Sequence, residues 1–377
     1  MSLHVGYAVE WWHPRPPTWS HIAASLLGGL ESEAGRVSLL DAQRSLPGKA
    51  LLALAHKPFP AVPWKYSAAN LWLTDRAVRR RARRHGVDAV LEVADVVVPT
   101  DVPTFVYQDM NFDVALAHRD ELGADMVSTF PAAADLLRRR ADRQRARYDQ
   151  LTGIFTFSRW YAGWLVDRQG VDARRVHVVG TGLNRVPSHR RPLDGPVPRT
   201  RVLFVGVEFR RKGGDLAVAA VERLRAGGLD VRLSVVGPPA WPHPAPPPPF
   251  VDFHGQLAGP DLEALYPQHD LLVLPSRFEA YGIGVLEATA AGLPVVAPRA
   301  YALPELIDDG RTGVLVDGLD AETLADAIAT ALADDGLYER TAAAADDVIA
   351  HHRWDRVARD MLARMTPASD AALEGAR

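Results

Sequence analysis

The chain has 377 residues, of which 47% are hydrophobic and 24% charged, and its formal net charge is −3. This length suits two domains of ordinary size, and the near-neutral charge argues against a dedicated nucleic-acid-binding protein. The chain contains no cysteine, which excludes disulfides, zinc–thiolate sites, iron–sulfur clusters and a cysteine nucleophile.

The N-terminal half has an irregular pattern of apolar runs. Met1–Tyr7 shows no signal-peptide pattern, and no apolar run reaches the roughly 18 residues of a transmembrane helix, so we expect a cytoplasmic protein. Short apolar runs nevertheless alternate with helical patterns, which is typical of an α/β domain. Strands are predicted at Val5–Val9, Asp88–Val98, Thr104–Tyr107, Gly153–Ser158 and Val176–Gly182, and helices at Leu71–His85, Ala132–Leu151 and Trp160–Gln169.

A proline-rich segment, Pro187–Thr200, separates the two halves. Its four prolines, one glycine and several basic residues disfavour a regular element. We therefore divide the chain into an N-terminal domain over residues 1–186, a linker over 187–200 and a C-terminal domain over 201–353.

The C-terminal half alternates regularly between short Val- and Leu-rich runs and helical stretches. Runs of this kind indicate strands of a parallel sheet that is covered on both faces, which predicts a Rossmann-like α/β domain. The predicted strands are Arg201–Gly206, Arg232–Gly237, Val251–Gly255, Leu271–Ser276, Pro294–Pro298 and Gly313–Asp317. The predicted helices are Gly214–Ala226, Pro260–Gln268, Gly284–Ala291 and Glu322–Asp334, the last with an apolar stripe of Leu324, Ile328 and Leu332.

Three biased segments allow two interpretations each. Pro238–Pro249 has eight prolines in twelve residues and predicts an extended loop, either a surface insertion or a partner-binding segment. The arginines of Arg79–Arg84 and Leu136–Arg147 form either solvated helix faces or a weak contact with anionic lipid at the inner membrane face.

Two glutamates eight residues apart, Glu279 and Glu287, dominate the most informative segment, PSRFEAYGIGVLEATAAGLPVVAP. The first follows a strand, and the second lies about one turn into a helix that starts near Gly282. Such a helix start suits a phosphate, and a carboxylate inside it can accept hydrogen bonds from both hydroxyls of a ribose. The alternative is that both glutamates are ordinary partners of the helix dipole.

A basic loop, Gly206–Asp215 with the sequence GVEFRRKGGD, joins a strand to another helix start. Arg211 and Lys212 beside that helix predict a clamp for a diphosphate, although a solvated loop would look the same. Because no Asp-x-Asp occurs in the chain, we expect these cations rather than a metal ion to neutralise the diphosphate, and we predict no metal site.

Together these segments resemble retaining glycosyltransferases of family 4, which have the GT-B fold. The resemblance extends from Val202 to about Val316 and includes the E-x7-E motif, the sequence PELIDDGRTGVLV, HGQL at His254–Leu257 and the basic loop. It implies two Rossmann-like domains that face a central cleft, with a last helix within 354–377 that packs back on the first domain.

The resemblance also implies roles for single residues. Arg211 and Lys212 would neutralise the departing diphosphate, and Glu279 would contact the donor hexose. Glu287 would hold the ribose of a nucleoside diphosphate sugar, most simply a UDP- or GDP-sugar, and no other cofactor is implied. The remaining donor contacts would be Gly206, the amides of Tyr281, Gly282 and Ile283, and the backbone of Gly255, Gln256 and Leu257 beside the base.

The chain departs from the family pattern at Val207, at Ala302–Pro304 and on the acceptor side. The expected N-terminal glycine-rich loop is replaced by EWWHPRPPTWSH, in which His13 and the tryptophans form either an acceptor platform or a packed surface loop. Asp109, after a predicted strand, is either an acceptor-orienting group or a turn cap. The acceptor itself, whether a sugar, a lipid-linked glycan precursor or a natural product, is not specified by the sequence.

The implied reaction transfers a hexose to the acceptor with retention of configuration and without a protein nucleophile. Two other functions remain open at this point. One is a nucleotide-sugar epimerase of the same fold, which needs no acceptor. The other is a non-catalytic protein that binds nucleotide sugars.

Overall fold

The computed structural model describes residues 3–10, 21–40, 54, 67–119, 134–194, 198–257 and 259–366. The chain divides into two compact units. The N-terminal unit comprises Met1–Leu116, Pro131–Asn184 and His352–Arg377, and the C-terminal unit comprises Ala117–Phe130 and Arg185–His351. In the described part of the chain, no helix is both long and apolar enough to cross a membrane.

The N-terminal unit contains a six-stranded parallel sheet in the order β2-β1-β3-β4-β5-β6. Its strands are β1 (His4–Ala8), β2 (Arg36–Leu39), β3 (Ala89–Val93), β4 (Thr104–Gln108), β5 (Gly153–Thr156) and β6 (Val176–Val178). Its α-helices before the C-terminal segment are α1 (Ile22–Glu33), α2 (Ala68–His85), α3 (Phe112–Ala117), α4 (Ala134–Tyr148) and α5 (Arg159–Gly163).

Three predicted elements of this unit are clearly wrong in extent, and one of them is the strand Val176–Gly182, which ends at Val178. The predicted strand Asp88–Val98 ends at Val93, because Ala94 turns the chain with a left-handed φ of 58°. The predicted helix Trp160–Gln169 is not a single α-helix. It consists of α5 followed by a π-helical turn at Trp164–Arg168, where the backbone hydrogen bonds span five residues instead of four.

The C-terminal unit contains a second six-stranded parallel sheet in the order β12-β11-β10-β7-β8-β9. Its strands are β7 (Arg201–Val205), β8 (Arg232–Val236), β9 (Val251–Gly255), β10 (Leu271–Val273), β11 (Val295–Pro298) and β12 (Gly313–Val316). Its α-helices are α6 (Gly214–Ala226), α7 (Gly259–Leu265), α8 (Ile283–Ala290), α9 (Leu303–Leu306), α10 (Ala321–Ala333) and α11 (Asp335–His351).

Apolar side chains cover both faces of the second sheet, as its continuous apolar strands predict. On one face α6 and α10 pack over Phe204, Leu233 and Val273, and the predicted stripe of Leu324, Ile328 and Leu332 is buried there. On the other face α8 packs over strand residues such as Leu203 and Leu272. The doubly covered parallel sheet confirms the predicted Rossmann-like class for this half.

The proline-rich segment between the halves packs with the C-terminal unit. The side chain of Arg191 is only 3% exposed and pairs with Asp270 at 2.8 Å. The carboxylate of Asp270 also accepts hydrogen bonds from the amides of Thr200 and Arg201. The residues around Arg191 therefore form a strap that is anchored to the C-terminal unit through Asp270, whereas proline content predicts a separate linker.

The proline-rich loop after β8 is anchored at its N-terminal end. Trp241 packs edge-on against Phe209 and Phe253, with ring centroids 5.8 and 5.6 Å apart. Because Phe209 belongs to the basic loop after β7, the anchored part of the proline-rich loop supports the basic loop from outside.

The last described helix, α12 (Trp354–Met365), lies in the N-terminal unit and packs on α1. Its side chain Arg359 pairs with Glu33 of α1 at 3.0 Å. Immediately before α12, the carbonyl of His352 accepts a hydrogen bond from the amide of Leu183. Residues 367–377 of the predicted C-terminal segment lie outside the described residues.

Candidate donor-binding site

The order of strands in the C-terminal sheet reverses between β7 and β10. In open α/β sheets, ligands bind outside the carboxyl ends of the strands at such a reversal, because the connections diverge there and leave a crevice. The segments that follow these two strands are residues 206–213 and 274–282, which we call the basic loop and the acidic loop. They are the two segments that the sequence singles out.

Glycines allow the two loops to lie in contact. Gly213 has a left-handed φ of 76°, and a Cβ atom on it would lie 2.0 Å from the carbonyl oxygen of Pro275. A Cβ atom on Gly206 would lie 2.8 Å from the side chain of Lys212. Glycine at both positions therefore lets the lysine stem fold inward and the loop backbones touch.

An ion pair between Lys212 and Glu279 joins the basic loop to the acidic loop. Both side chains are largely buried, with exposures of 17% and 7%, and Ser276 Oγ donates to the same glutamate oxygen at 3.3 Å. Burial alone would raise the pKa of Glu279, but the charges of Lys212 and Arg211 outweigh burial and hold this pKa below its ordinary value.

Arg211 ties the basic loop to the acidic loop through its side chain and its backbone, and its guanidinium group also bonds within the basic loop. One nitrogen donates to the carbonyl of Phe278 and the other to Glu208, each at 2.8 Å. The backbone carbonyl of Arg211 in turn accepts from the amide of Arg277 at 2.8 Å. The predicted diphosphate cation is thus also a structural link between the two loops.

A second arginine contact at the same place was not predicted. Arg277 donates two hydrogen bonds to Asp215, at 2.7 and 2.8 Å, and its carbonyl accepts from the hydroxyl of Tyr301. Asp215 lies in the first turn of α6. The sequence pointed to this contact only through Asp215 itself, which directly follows Lys212-Gly213-Gly214. An acidic residue there is also ordinary at a helix start, so it did not indicate a partner.

Glu287 is the fifth residue of α8, and its partner comes from the short 3₁₀ turn Tyr266–Gln268. The hydroxyl of Tyr266 donates to Glu287 Oε2 at 2.9 Å. Burial raises the pKa of Glu287, the Tyr266 hydrogen bond opposes this shift, Glu263 adds to it and Arg185 opposes it. The two motif glutamates therefore have different surroundings, one beside a cation and one beside a phenol.

The other predicted donor contacts lie at strand and helix ends. Tyr281 is buried, Gly282 has a left-handed φ of 111°, and Ile283 begins α8. Gly255 is the last residue of β9, followed by an exposed Gln256 and a half-buried Leu257. Gly255–Leu257 thus lie at the carboxyl end of the edge strand β9, and Tyr281–Ile283 lie at the N-terminus of α8.

The two predicted acceptor residues have different outcomes. His13 lies outside the described residues. Asp109 directly follows β4 and is half-buried, whereas the cap of α3 comes from Asn111, whose side-chain oxygen accepts from the amides of Asp113 and Val114. Across the described residues, no group of three or more His, Asp or Glu side chains is arranged to hold a metal ion.

The sequence of this chain matches known glycosyltransferases. Residues 199–334 match the family model described as glycosyl transferases group 1. The D-inositol 3-phosphate glycosyltransferase of Xylanimonas cellulosilytica is 34% identical over 222 residues, which are 52% of each chain. That of Salinispora tropica is 32% identical over 230 residues, which are 53% of this chain and 48% of the relative. The chain thus spans about half the length of the curated relatives it matches.

Solved structures show the same fold. Sucrose-phosphate synthase from Thermosynechococcus elongatus has a TM-score of 0.68 at 17% identity, with 100% of both chains covered. WaaG, a glycosyltransferase involved in lipopolysaccharide biosynthesis, has a TM-score of 0.62 at 17% identity, with 97% of this chain and 100% of WaaG covered. The chain is therefore an α/β protein with the GT-B fold. Together with the sequence matches, this confirms the predicted resemblance to family 4 glycosyltransferases.

Proposed function

We propose that the chain is a retaining glycosyltransferase that moves a hexose from a nucleoside diphosphate sugar to an acceptor. The observation that carries this proposal is the contact between the basic and acidic loops at the strand reversal, with Glu287 one helix turn further on. The family match over 199–334 supports the same conclusion, because it covers both loops. No specific observation favours the epimerase or the non-catalytic binding protein.

In this proposal the donor is a UDP- or GDP-hexose bound by the C-terminal unit. Glu287 accepts hydrogen bonds from the ribose, and the backbone at Gly255–Leu257 lies beside the base. Lys212 and Arg211 face the diphosphate, and the amides around Gly282 add the positive end of α8. Glu279 contacts the hexose with the carboxylate oxygen that is not bonded to Lys212 and Ser276.

The proposed chemistry needs no protein nucleophile and no metal ion. The bond between the anomeric carbon and the diphosphate breaks as an oxocarbenium-like transition state forms, and the acceptor oxygen attacks from the same face. The leaving diphosphate takes the proton from the acceptor. Lys212 and Arg211 are held in place before the reaction, so they stabilise the negative charge on the diphosphate without reorganising.

The acceptor is assigned to the N-terminal unit, with Asp109 and His13 as candidate contacts. A sugar, a lipid-linked glycan or a natural product fits the proposal, and the relatives named D-inositol 3-phosphate glycosyltransferase make an inositol phosphate the first acceptor to test. A cytoplasmic location, with the arginines of α2 and α4 at an anionic membrane surface, also remains a proposal. Co-sedimentation with anionic vesicles tests the membrane contact, and equal recovery with neutral vesicles would contradict it.

A transfer assay in EDTA tests the proposed reaction. Each UDP- and GDP-hexose is incubated with a panel of the three acceptor classes, and release of nucleoside diphosphate is measured. We expect release that requires an acceptor, continues in EDTA and gives a product whose anomeric configuration, determined by NMR, equals that of the donor. Interconversion of donor sugars without acceptor would instead identify an epimerase, and binding without release a non-catalytic protein.

A further inference from the structure

Tyr266 is buried, with an exposure of 2%. It follows α7, and its hydroxyl reaches Glu287 Oε2 at 2.9 Å on the neighbouring helix α8. Burial and the adjacent carboxylate both raise the pKa of Tyr266, so its hydroxyl keeps its proton and acts as the donor. A buried tyrosine hydroxyl needs a polar partner, and here that partner is a motif glutamate.

The hydrogen bond fixes one of the two oxygens of Glu287. A carboxylate can accept through both oxygens, so bonding of Oε2 to Tyr266 orients the group and leaves Oε1 for another donor. The charged groups that face Glu287 are Glu263 of α7, which repels it, and Arg185, which attracts it. The Tyr266 bond acts with Arg185 against the effect of burial and favours the ionised carboxylate.

We propose that Tyr266 is a positioning residue for nucleotide recognition, which acts by orienting Glu287 so that Oε1 accepts from a ribose hydroxyl. This inference rests on the proposed function, in which Glu287 binds the ribose. Tyr266 itself makes no contact with the nucleotide. Its effect is therefore confined to ligands that carry the ribose hydroxyls.

The test compares ribonucleotides with nucleotides that lack those hydroxyls. Calorimetry measures the affinity of wild type and Tyr266→Phe for UDP, GDP and ADP, each beside its 2′,3′-dideoxy analogue. We expect Tyr266→Phe to weaken binding of the preferred ribonucleotide about 10-fold, the scale of one hydrogen bond to a charged group, and to leave the dideoxy analogue unchanged. The matched control is Tyr7→Phe, which removes a buried hydroxyl bonded to the carbonyl of Ala23 in the N-terminal unit.

The pH dependence provides a second measurement on the same variant. Loss of the Tyr266 hydrogen bond removes a contribution that lowers the pKa of Glu287, so this pKa rises further. Protonation of Glu287 on acidification then begins at a higher pH, and ribonucleotide affinity is lost at a higher pH in Tyr266→Phe than in wild type. Tyr7→Phe should follow the wild-type curve.

The possible outcomes separate this inference from the proposed function. Equal weakening of ribo- and dideoxynucleotides would show a merely structural role and overturn the inference alone. An unchanged ribonucleotide affinity in Tyr266→Phe would also overturn it. If wild type itself shows no preference for the ribonucleotide, the ribose role of Glu287 fails, and the inference fails with it.

Discussion

Replacement of Lys212 by alanine is expected to lower the turnover of glycosyl transfer by about 100-fold or more. This is the scale for losing one preorganised group that stabilises charge in a transition state. Lys212 is held in place by its ion pair with Glu279, and Gly206 leaves the space that its stem occupies. The measurement is the rate of nucleoside diphosphate release at saturating donor and acceptor.

The surface cation Arg223 supplies the control for this prediction. Arg223 lies on α6, the helix that follows the basic loop, and its side chain is 55% exposed and paired with Glu322. Arg223→Ala should retain the wild-type rate, because a solvent-exposed pair contributes little. Near-normal turnover of Lys212→Ala would remove this lysine from the diphosphate site.

Replacement of Arg191 by alanine is expected to destabilise the C-terminal unit by about 3–5 kcal/mol, the usual cost of removing one partner of a buried ion pair. Asp270, with a side-chain exposure of 8%, would keep its bonds to two backbone amides but lose its only described cationic partner. The guanidinium of Arg191 also lies 4.4 Å from the ring centre of Tyr338 on α11, so packing is lost as well. Urea denaturation measures the change in the free energy of unfolding.

The neighbouring residue provides a matched control. Arg190 precedes Arg191 in the chain and pairs with Asp346, but these two side chains are 40% and 82% exposed. Arg190→Ala should therefore leave the denaturation midpoint close to that of wild type. If the two variants unfold alike, the strap formed by residues around Arg191 contributes no more stability than a surface pair.

The strands of the C-terminal sheet could be predicted closely, because each one is a continuous apolar run that can be recognised from its own residues. Strands buried on both faces must be apolar throughout, so Arg201–Val205 and Gly313–Val316 stand out between helices. Helix α11 was not predicted, because its sequence has no clear apolar stripe, although its alanines favour a helix. In the N-terminal half, the left-handed turn at Ala94 ends β3 within the apolar-rich segment Asp88–Val98, whose valines continue beyond the turn.

The candidate donor-binding site shows the same difference between what local sequence patterns indicate and what tertiary contacts add. The basic and acidic loops could be identified from their own residues, and the strand order then explains why they meet. The contacts of Arg277 with Asp215 and of Tyr266 with Glu287 join elements 62 and 21 residues apart in sequence. No local pattern specifies such pairs, so they required the fold. The strap around Arg191 also required the fold. The proline content of this segment predicts that it lacks regular structure, but it does not predict that the Arg191 side chain is buried.

The donor site is tested by calorimetric binding of UDP, GDP and ADP without divalent metal, to wild type and to Glu287→Ala. We expect wild type to bind one of the three nucleotides tightly and Glu287→Ala to lose most of that affinity. Tight binding would confirm the donor site and identify the base. Absence of binding by any nucleotide would overturn the donor site, and equal affinity in wild type and Glu287→Ala would remove Glu287 from it.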